Sequence, residues 1–443
     1  MSNLETPHAQ TRAGAHQRTD KNPALSDTLF EQVLSRANLQ RAWNQVRRNK
    51  GAPGIDNVTI DMFPDLMRTQ WPTIAEQLRD GSYQPQAVKR VYIDKEDGSQ
   101  RELGVPCVAD RLIQQAITQV LSPLFDPSFS VHSYGFRPKR SAHDAIKHVQ
   151  QDVQSGYKIA IDVDLSKFFD RINHDLLMTL LSRRIQDKAL LRLIGKYLRV
   201  GIDDQGQRLE SYEGVPQGGP LSPLLSNVVL DILDRELEDR GHKFARYADD
   251  FIILVKSQRA GKRVLASITR FVEQTLKLKI NDQKSGVVPI TASKFLGFSF
   301  KGRNIICHPK ALAKFKRQVR ELTSRTWGVS METKLNKLAL YLRGWTNYFG
   351  LGIRYQQSID LDQWIRRRIR MCYWKQWRKP RTKIRNLIKL GVPTKLAIDC
   401  GLTSKGYWRS SKTKGINMAL NDQWLREQGL ISLRDQWVSL HYG

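Results

Sequence analysis

The 443-residue sequence predicts an α+β body followed by a basic all-α segment, and three observations carry that reading. Up to about residue 300, short apolar runs ending in carboxylates alternate with helical repeats, the mixture that packs helices against a small sheet. Beyond that point helical repeats continue with no strand pattern between them. The same region is the basic one: residues 301–420 hold 28 Lys and Arg against 5 Asp and Glu, a surplus of 23 in a chain of net charge +29.

Residues 1–24 are polar and without periodicity, and are expected to be disordered. From Ser26 to Arg48 the apolar positions Leu29, Val33, Leu34, Leu39, Trp43 and Val46 follow a helical repeat that GAPG at 51–54 ends. Residues 88–106, VKRVYIDKEDGSQRELGVP, predict a hairpin with its turn at Asp97 and Gly98 and with Tyr92, Ile93 and Leu103 in the strands. A helix over Arg111 to Leu124 comes next, then a buried strand from Tyr157 to Leu165, then one helix from His174 to Arg199. Ser222 and Pro223 signal a helix start, and the helix runs to Asp239 with Leu224, Leu225, Val228, Val229, Ile232, Leu233 and Leu237 on its apolar face. A helix from Gly261 to Leu276 and the strand-like FLGFSF at 295–300 complete the body. In the basic segment, helices near Lys310–Trp327, Met331–Phe349 and Asp360–Arg378 predict a small bundle. The expected divisions are a tail (1–24), the α+β body (25–300), the bundle (301–380) and a basic extension (381–443).

Charge and composition bound the function. A surplus of this size repels itself unless a polyanion supplies the counter-charge, which points to nucleic acid. No apolar run approaches the roughly 20 residues that cross a bilayer, and no secretory segment is visible, so a cytoplasmic, nucleoid- or RNA-associated protein is expected, with no membrane partner. Cys107, Cys307, Cys372 and Cys400 are far apart, which predicts reduced thiols rather than disulfides or a structural zinc.

The chemistry concentrates in FARYADDFI at 244–252, where Asp249 and Asp250 sit between two apolar runs. Adjacent strand residues face opposite ways, so both carboxylates reach one cation only from a hairpin tip or bulge. A polar turn and a metal site are both consistent with the stretch alone. A metal site would need a third carboxylate from another strand end, and Asp164 and Asp162, in IAIDVDLSKFFD, are the candidates.

Four blocks then occur in one order: SYGFRPKRSAHDA at 133–145, DLSKFFD at 164–170, VPQGGPLSPLLSN at 215–227 and YADD at 247–250. Together they resemble the reverse transcriptases of group II introns, and the likeness extends from about Leu29 to Leu433. It implies a right-hand polymerase, with fingers and palm followed by a helical thumb and maturase domain. By that resemblance Asp164 and Asp249 would bridge two Mg²⁺ ions, with Asp250 an outer ligand, while Asp162 and Asp170 would be structural. Phe169 would block a ribose 2′-hydroxyl and so select deoxynucleotides, with Phe168 in the core. Gln217 would contact the incoming nucleotide, with Gly218 and Gly219 allowing close approach. Lys95 and Arg101 would grip its triphosphate, and Lys284, in NDQKS, would protonate pyrophosphate. FLGF at 295–298 resembles the primer-grip hairpin. Arg137, Lys139 and Arg140 would meet template phosphates, whereas His132 and His143 lack metal-ligand spacing and would be hydrogen-bonded structural residues.

RGWTNYF at 343–349, LDQWIRRRIR at 361–370 and WKQWRKP at 374–380 resemble the maturase domain that binds intron RNA. Arg366, Arg367, Arg370 and Arg378 would contact the RNA, with Trp345, Trp364 and Trp377 in the bundle core. The implied partners are an RNA template, a DNA primer, deoxynucleoside triphosphates and structured intron RNA. The implied functions are RNA-directed DNA synthesis, assistance to splicing, and copying of the intron during retrohoming. A host-recruited relative serving DNA repair or phage defence, and a maturase acting only as an RNA chaperone, are the alternatives. Two departures from the pattern stand out: Asn57 where glycine is usual, and no cysteine and histidine cluster of the kind that marks the endonuclease of many relatives.

Overall fold

A computed structural model of the protein describes residues 28–94, 98 and 100–443. The expected disordered tail at 1–24 lies outside the described residues, as do Lys95 and Asp97. The chain forms two compact units: residues up to Val131 with Ser166–Arg235 and Phe271–Lys279, and His132–Leu165 with Glu236–Arg270 and Ile280–Gly443. The body expected over 25–300 is thus divided between them, and the second unit also holds the basic helices.

In the first unit the predicted hairpin is present, with Val88–Asp94 antiparallel to Gln100–Val105 and Ile93 opposite Arg101. Strands Ile202–Asp204 and Gln207–Leu209 extend it to a four-stranded sheet. Two helices expected to be continuous are broken. Ser35 is extended (φ −60°, ψ 139°) and separates Leu29–Leu34 from Arg36–Arg48. Between His174–Ser182 and Lys188–Leu198 the break falls at Asp187, whose carboxylate accepts from the N–H groups of Leu190 (3.0 Å) and Phe30 (2.7 Å). A capped start with a long-range partner outweighs two more turns of helix there. Asp110 is buried in the helix Val108–Phe125 and accepts from the hydroxyls of Tyr83 (2.8 Å) and Tyr197 (3.2 Å) and from the Gln86 N–H (3.1 Å). Burial pushes its carboxyl up to about 6, even though these donors favour the charged form.

The second unit is built on an antiparallel sheet in the order Lys243–Tyr247, Asp250–Val255, Ile159–Asp164, Gly286–Pro289. The two central strands are apolar because both of their faces are covered. Ala142–Gln154, started by a reciprocal Ser141–Asp144 capping box, packs on the sheet through Ala145, Ile146 and Val149. The predicted basic helices are Pro309–Leu322, Met331–Phe349 and Tyr355–Gln376. One apolar core runs from Cys307 to Leu433 and joins Leu335, Ile365 and Trp374 to Leu387, Cys400 and Leu425, so burial does not change at residue 380. Asp362 fastens the last helix, Leu433–Tyr442, by accepting from Ser432 Oγ (2.6 Å) and the Leu433 N–H (2.7 Å). Trp345 is in the core, with Trp364 and Trp377 packed against it. Among the described residues no helix is long and apolar enough to cross a membrane.

Candidate active site

Tyr247 pairs with Asp250 across a two-residue connection, Ala248 and Asp249. Asp249 therefore occupies the turn and Asp250 opens the returning strand, which resolves how adjacent carboxylates come to share one end of a sheet. On the other side of that strand, Asp164 is directly opposite Asp250. The structure thus brings Asp164, Asp249 and Asp250 to one sheet end.

The turn is held by residues of the SYGF block. Arg246 is fully buried; its guanidinium donates to the Ala248 carbonyl oxygen (3.0 Å) and to Ser133 Oγ (2.8 Å). The two chains also exchange backbone bonds, Tyr134 N–H to the Arg246 oxygen (2.8 Å) and Arg246 N–H to the His132 oxygen (2.9 Å). Gly135 permits this approach, since a Cβ there would fall 2.1 Å from the Ala248 nitrogen. Ala248 itself has φ +59°, a strained value for a residue with a Cβ. Sequence reasoning passed over Arg246. The available signal was an arginine inside an apolar strand run, where a cation is tolerated only if its donors are satisfied.

Asp164 is braced from the other side. Its N–H donates to Ser285 Oγ (3.0 Å) and its carbonyl oxygen accepts from the Asn281 N–H (2.8 Å), so the NDQKS loop that carries the exposed Lys284 is anchored on it. Asp162 accepts from Ser293 Oγ (2.6 Å), in keeping with a structural role. FLGF forms a tight turn, with paired backbone bonds between Phe295 and Phe298, and the Leu296 backbone lies near the Asp250 carboxylate, where it favours the charged form.

Asp250 retains contact with solvent, yet the surrounding protein raises its carboxyl to about 7, and the charges of Asp249, Asp162 and Asp164 add to the shift. An all-oxygen cluster with unrelieved negative charge fits a hard divalent cation. Among the described residues no group of three or more His, Cys, Asp and Glu side chains is gathered closely enough to hold a metal ion by itself.

Of the predicted nucleotide-contacting residues, Arg101, Phe169 and Gln217 lie in the first unit and Lys284 in the second. Gln217 lines a cavity of about 500 Å³ together with Arg90, Glu102, Lys167 and Asp170. Gly218 (φ +134°) does permit a close approach, but to the Gly104 carbonyl oxygen, 2.4 Å from where its Cβ would be. Phe169 is half-buried, edge-on to the buried Phe168, and is not among the lining residues. Arg101 is exposed and does not line the cavity, whereas Glu102, Leu103 and Gly104, which follow it on the strand, do. Arg90, which sequence reasoning missed, is the strand cation that does line it, paired with Asp204 (3.1 Å) and Glu102 (3.4 Å). Lys95 lies outside the described residues.

Of the template-contact candidates, Arg137 donates to the Ser133 oxygen (3.0 Å), Arg140 sits over the Tyr134 ring (5.4 Å) and Lys139 takes φ +57°. His132 stacks on His148, and His143 Nε2 is 2.7 Å from the Tyr348 oxygen. In the helical segment Arg366 and Arg370 share Asp422 (3.0 and 3.2 Å), and Arg367 stacks on Trp408 at 3.6 Å, while Arg378 is exposed.

Comparison with known proteins supplies the family. Residues 93–300 match the reverse transcriptase (RNA-dependent DNA polymerase) domain, and residues 312–391 the maturase-specific domain of group II introns. Protein YkfC of Escherichia coli (strain K12) is 33% identical over 298 residues, covering 58% of this chain and 77% of that protein. The chain belongs to the group II intron reverse transcriptase and maturase family.

Another relative, the group II intron-encoded protein LtrA of Lactococcus lactis subsp. cremoris, is 29% identical over 330 residues, covering 59% of this chain and 54% of that protein. Among solved structures, a chain of a partial Cas6-RT-Cas1–Cas2 complex matches at 29% identity over 57% of this chain and 44% of that one, with a TM-score of 0.37. The intron reverse transcriptase fold accounts for the arrangement described above. The YADD hairpin falls within the residues matched to the reverse transcriptase domain, whose family generally uses divalent metal ions, and the basic helices coincide with the matched maturase-specific domain.

Proposed function

We propose that this protein extends a DNA primer with deoxynucleoside triphosphates on an RNA template, and that its basic helices bind the parent intron RNA, assisting its splicing and its copying during retrohoming. The observation that supports the polymerase reading most directly is the register that sets Asp164 opposite Asp250 with Asp249 in the adjoining turn.

Asp164 and Asp249 would hold two Mg²⁺ ions, with Asp250 an outer ligand. Bound there, the ions supply positive charge that acidifies the primer 3′-hydroxyl and offsets the charge of the leaving pyrophosphate. The residues of the chain position and select. Arg246 and Gly135 hold the turn, and Ser285 and Asn281 hold the backbone of Asp164. Phe169 excludes a 2′-hydroxyl, Gln217 contacts the incoming nucleotide, Lys95 and Arg101 meet its phosphates, and Lys284 delivers a proton to pyrophosphate. Arg137, Lys139, Arg140, Arg366, Arg367, Arg370 and Arg378 meet RNA.

Primer extension on poly(rA) tests the assignment. Asp249→Ala should abolish synthesis while RNA binding persists, and synthesis that survives the substitution would refute the metal-site reading.

A further inference from the structure

The end of the second unit's sheet away from the carboxylates holds a cavity of about 470 Å³ that none of the roles above uses. Its floor is apolar, with Leu254, Val255, Ala260 and Val264, and Tyr157 lies at its side. Its rim carries Arg240, Lys243, Lys256 and Arg263, and no Asp or Glu lines it. Lys243 opens the strand that ends at Tyr247, just before the catalytic turn, so about 3.4 Å of rise per residue separates the two places by roughly 15 Å.

The rim cations differ in their engagement. Arg240 is held by Glu236 and Ser267. Lys256 extends over the Tyr157 ring, 5.3 Å from its centroid. Lys243 and Arg263 are exposed and form no ion pair among the described residues. An apolar floor with an aromatic wall suits the face of a base, and cations at the mouth suit the phosphates on either side of it. The volume is within the range of small-ligand sites and accommodates one nucleotide.

We propose that this cavity takes one extruded nucleotide of a single-stranded RNA segment, its base against Tyr157 and the apolar floor, its flanking phosphates on Lys256 and Arg263 with Lys243 nearby. The proposal rests on the reading of the chain as an RNA-binding polymerase, and it adds a contact outside both the catalytic end and the maturase helices.

The test is binding of a fluorescent 12-nucleotide oligouridylate to the full chain at several salt concentrations. Reversing two of the exposed rim charges (Lys256→Glu with Arg263→Glu) should weaken binding tenfold or more and reduce the salt slope by about 1.4, at roughly 0.7 per phosphate contact on a single strand. Tyr157→Ala should weaken binding and leave the slope unchanged. The control reverses Arg259 and Lys262, exposed on the helix Gln258–Gln274 that carries Arg263 but outside the cavity, and should have a much smaller effect. Equal losses in the two double variants, or none in the first, would overturn the proposal. So would uridine monophosphate competing as well as the oligomer, since a free nucleotide would then be the ligand. Primer extension at saturating template should be unchanged in the rim variants. A wild-type chain that binds the oligomer at the rim but synthesises no DNA would count against the polymerase reading alone.

Discussion

The guanidinium of Arg246 donates to the carbonyl oxygen of Ala248, 3.0 Å away, so the residue just before YADD holds the turn that presents Asp249. A buried cation thereby serves the position of a carboxylate without touching substrate. Arg246→Ala removes bonds to Ala248 and Ser133 and leaves buried acceptors behind, which should cost about 3 kcal/mol of stability at 1.5–3 kcal/mol per charged hydrogen bond. Urea unfolding checks the stability. Primer extension at a temperature where the variant remains folded should show a fall in kcat larger than any change in KM. Arg246→Lys, with a single point of donation, should recover stability better than activity.

Gly135 makes a second prediction about the same turn. Gly135→Ala puts a methyl group 2.1 Å from the Ala248 nitrogen, so backbone must move and the Asp249 carboxylate moves with it. A displacement near 1 Å can cost on the order of 100-fold in rate. Synthesis should fall by about that factor while circular dichroism and RNA binding change little; a fully active variant would show that the SYGF loop does not position the turn.

The charge crowded at the sheet end predicts a response to metal. Divalent ions relieve repulsion among Asp162, Asp164, Asp249 and Asp250, so Mg²⁺ should raise the Tm of the wild type by a few degrees. In Asp249→Ala with Asp250→Asn the rise should vanish. Chelation should stop synthesis without unfolding the chain, because the strands that carry the ligands are held by their own ladder and core.

Asp110 predicts a pH dependence of stability. Its carboxyl is raised by burial to about 6, so between about pH 4 and 6 the folded state binds more protons than the unfolded chain. Stability from this group is present below pH 4 and is lost as pH rises through 6, on the order of 3 kcal/mol in all. Asp110→Asn lacks the titration. The difference in urea midpoint between the variant and the wild type should shift in the variant's favour from pH 4 to pH 7, and a constant difference would contradict the reading.

The arginines of the maturase helices should separate into two groups. Arg366 and Arg370, with side chains 20% and 13% exposed, share Asp422. Substituting either with alanine should lower stability, by about 1 kcal/mol for a partly exposed ion pair. Arg378 is exposed, and Arg378→Glu should leave stability unchanged while it weakens RNA binding and lowers the salt slope by about 1. The salt dependence of intron RNA binding distinguishes the two outcomes.

Local sequence made several elements legible because their signals are local. The Val88–Val105 hairpin, the helix beginning at Ser222 and the strand ending at Asp164 are written in short-range alternation, turn residues and caps. The breaks at Ser35 and Asp187 were not legible, since Asp187 caps its helix while binding the Phe30 N–H, a partner 157 residues away. Facing was equally hidden: Arg90 and Arg101 are both strand cations of one hairpin, and only the packed sheet shows that Arg90 lines the cavity and Arg101 does not.

By itself the sequence determined the family and the α+β body with its basic helical segment, and it singled out the three carboxylates as candidates, because order of motifs, charge and periodicity survive without coordinates. Tertiary structure alone decided that Asp164 is opposite Asp250, that Arg246 and Gly135 hold the turn, and that Arg366 and Arg370 are engaged with Asp422. Those facts depend on register and burial between segments far apart in the chain, and no local pattern encodes which distant groups will satisfy a buried charge.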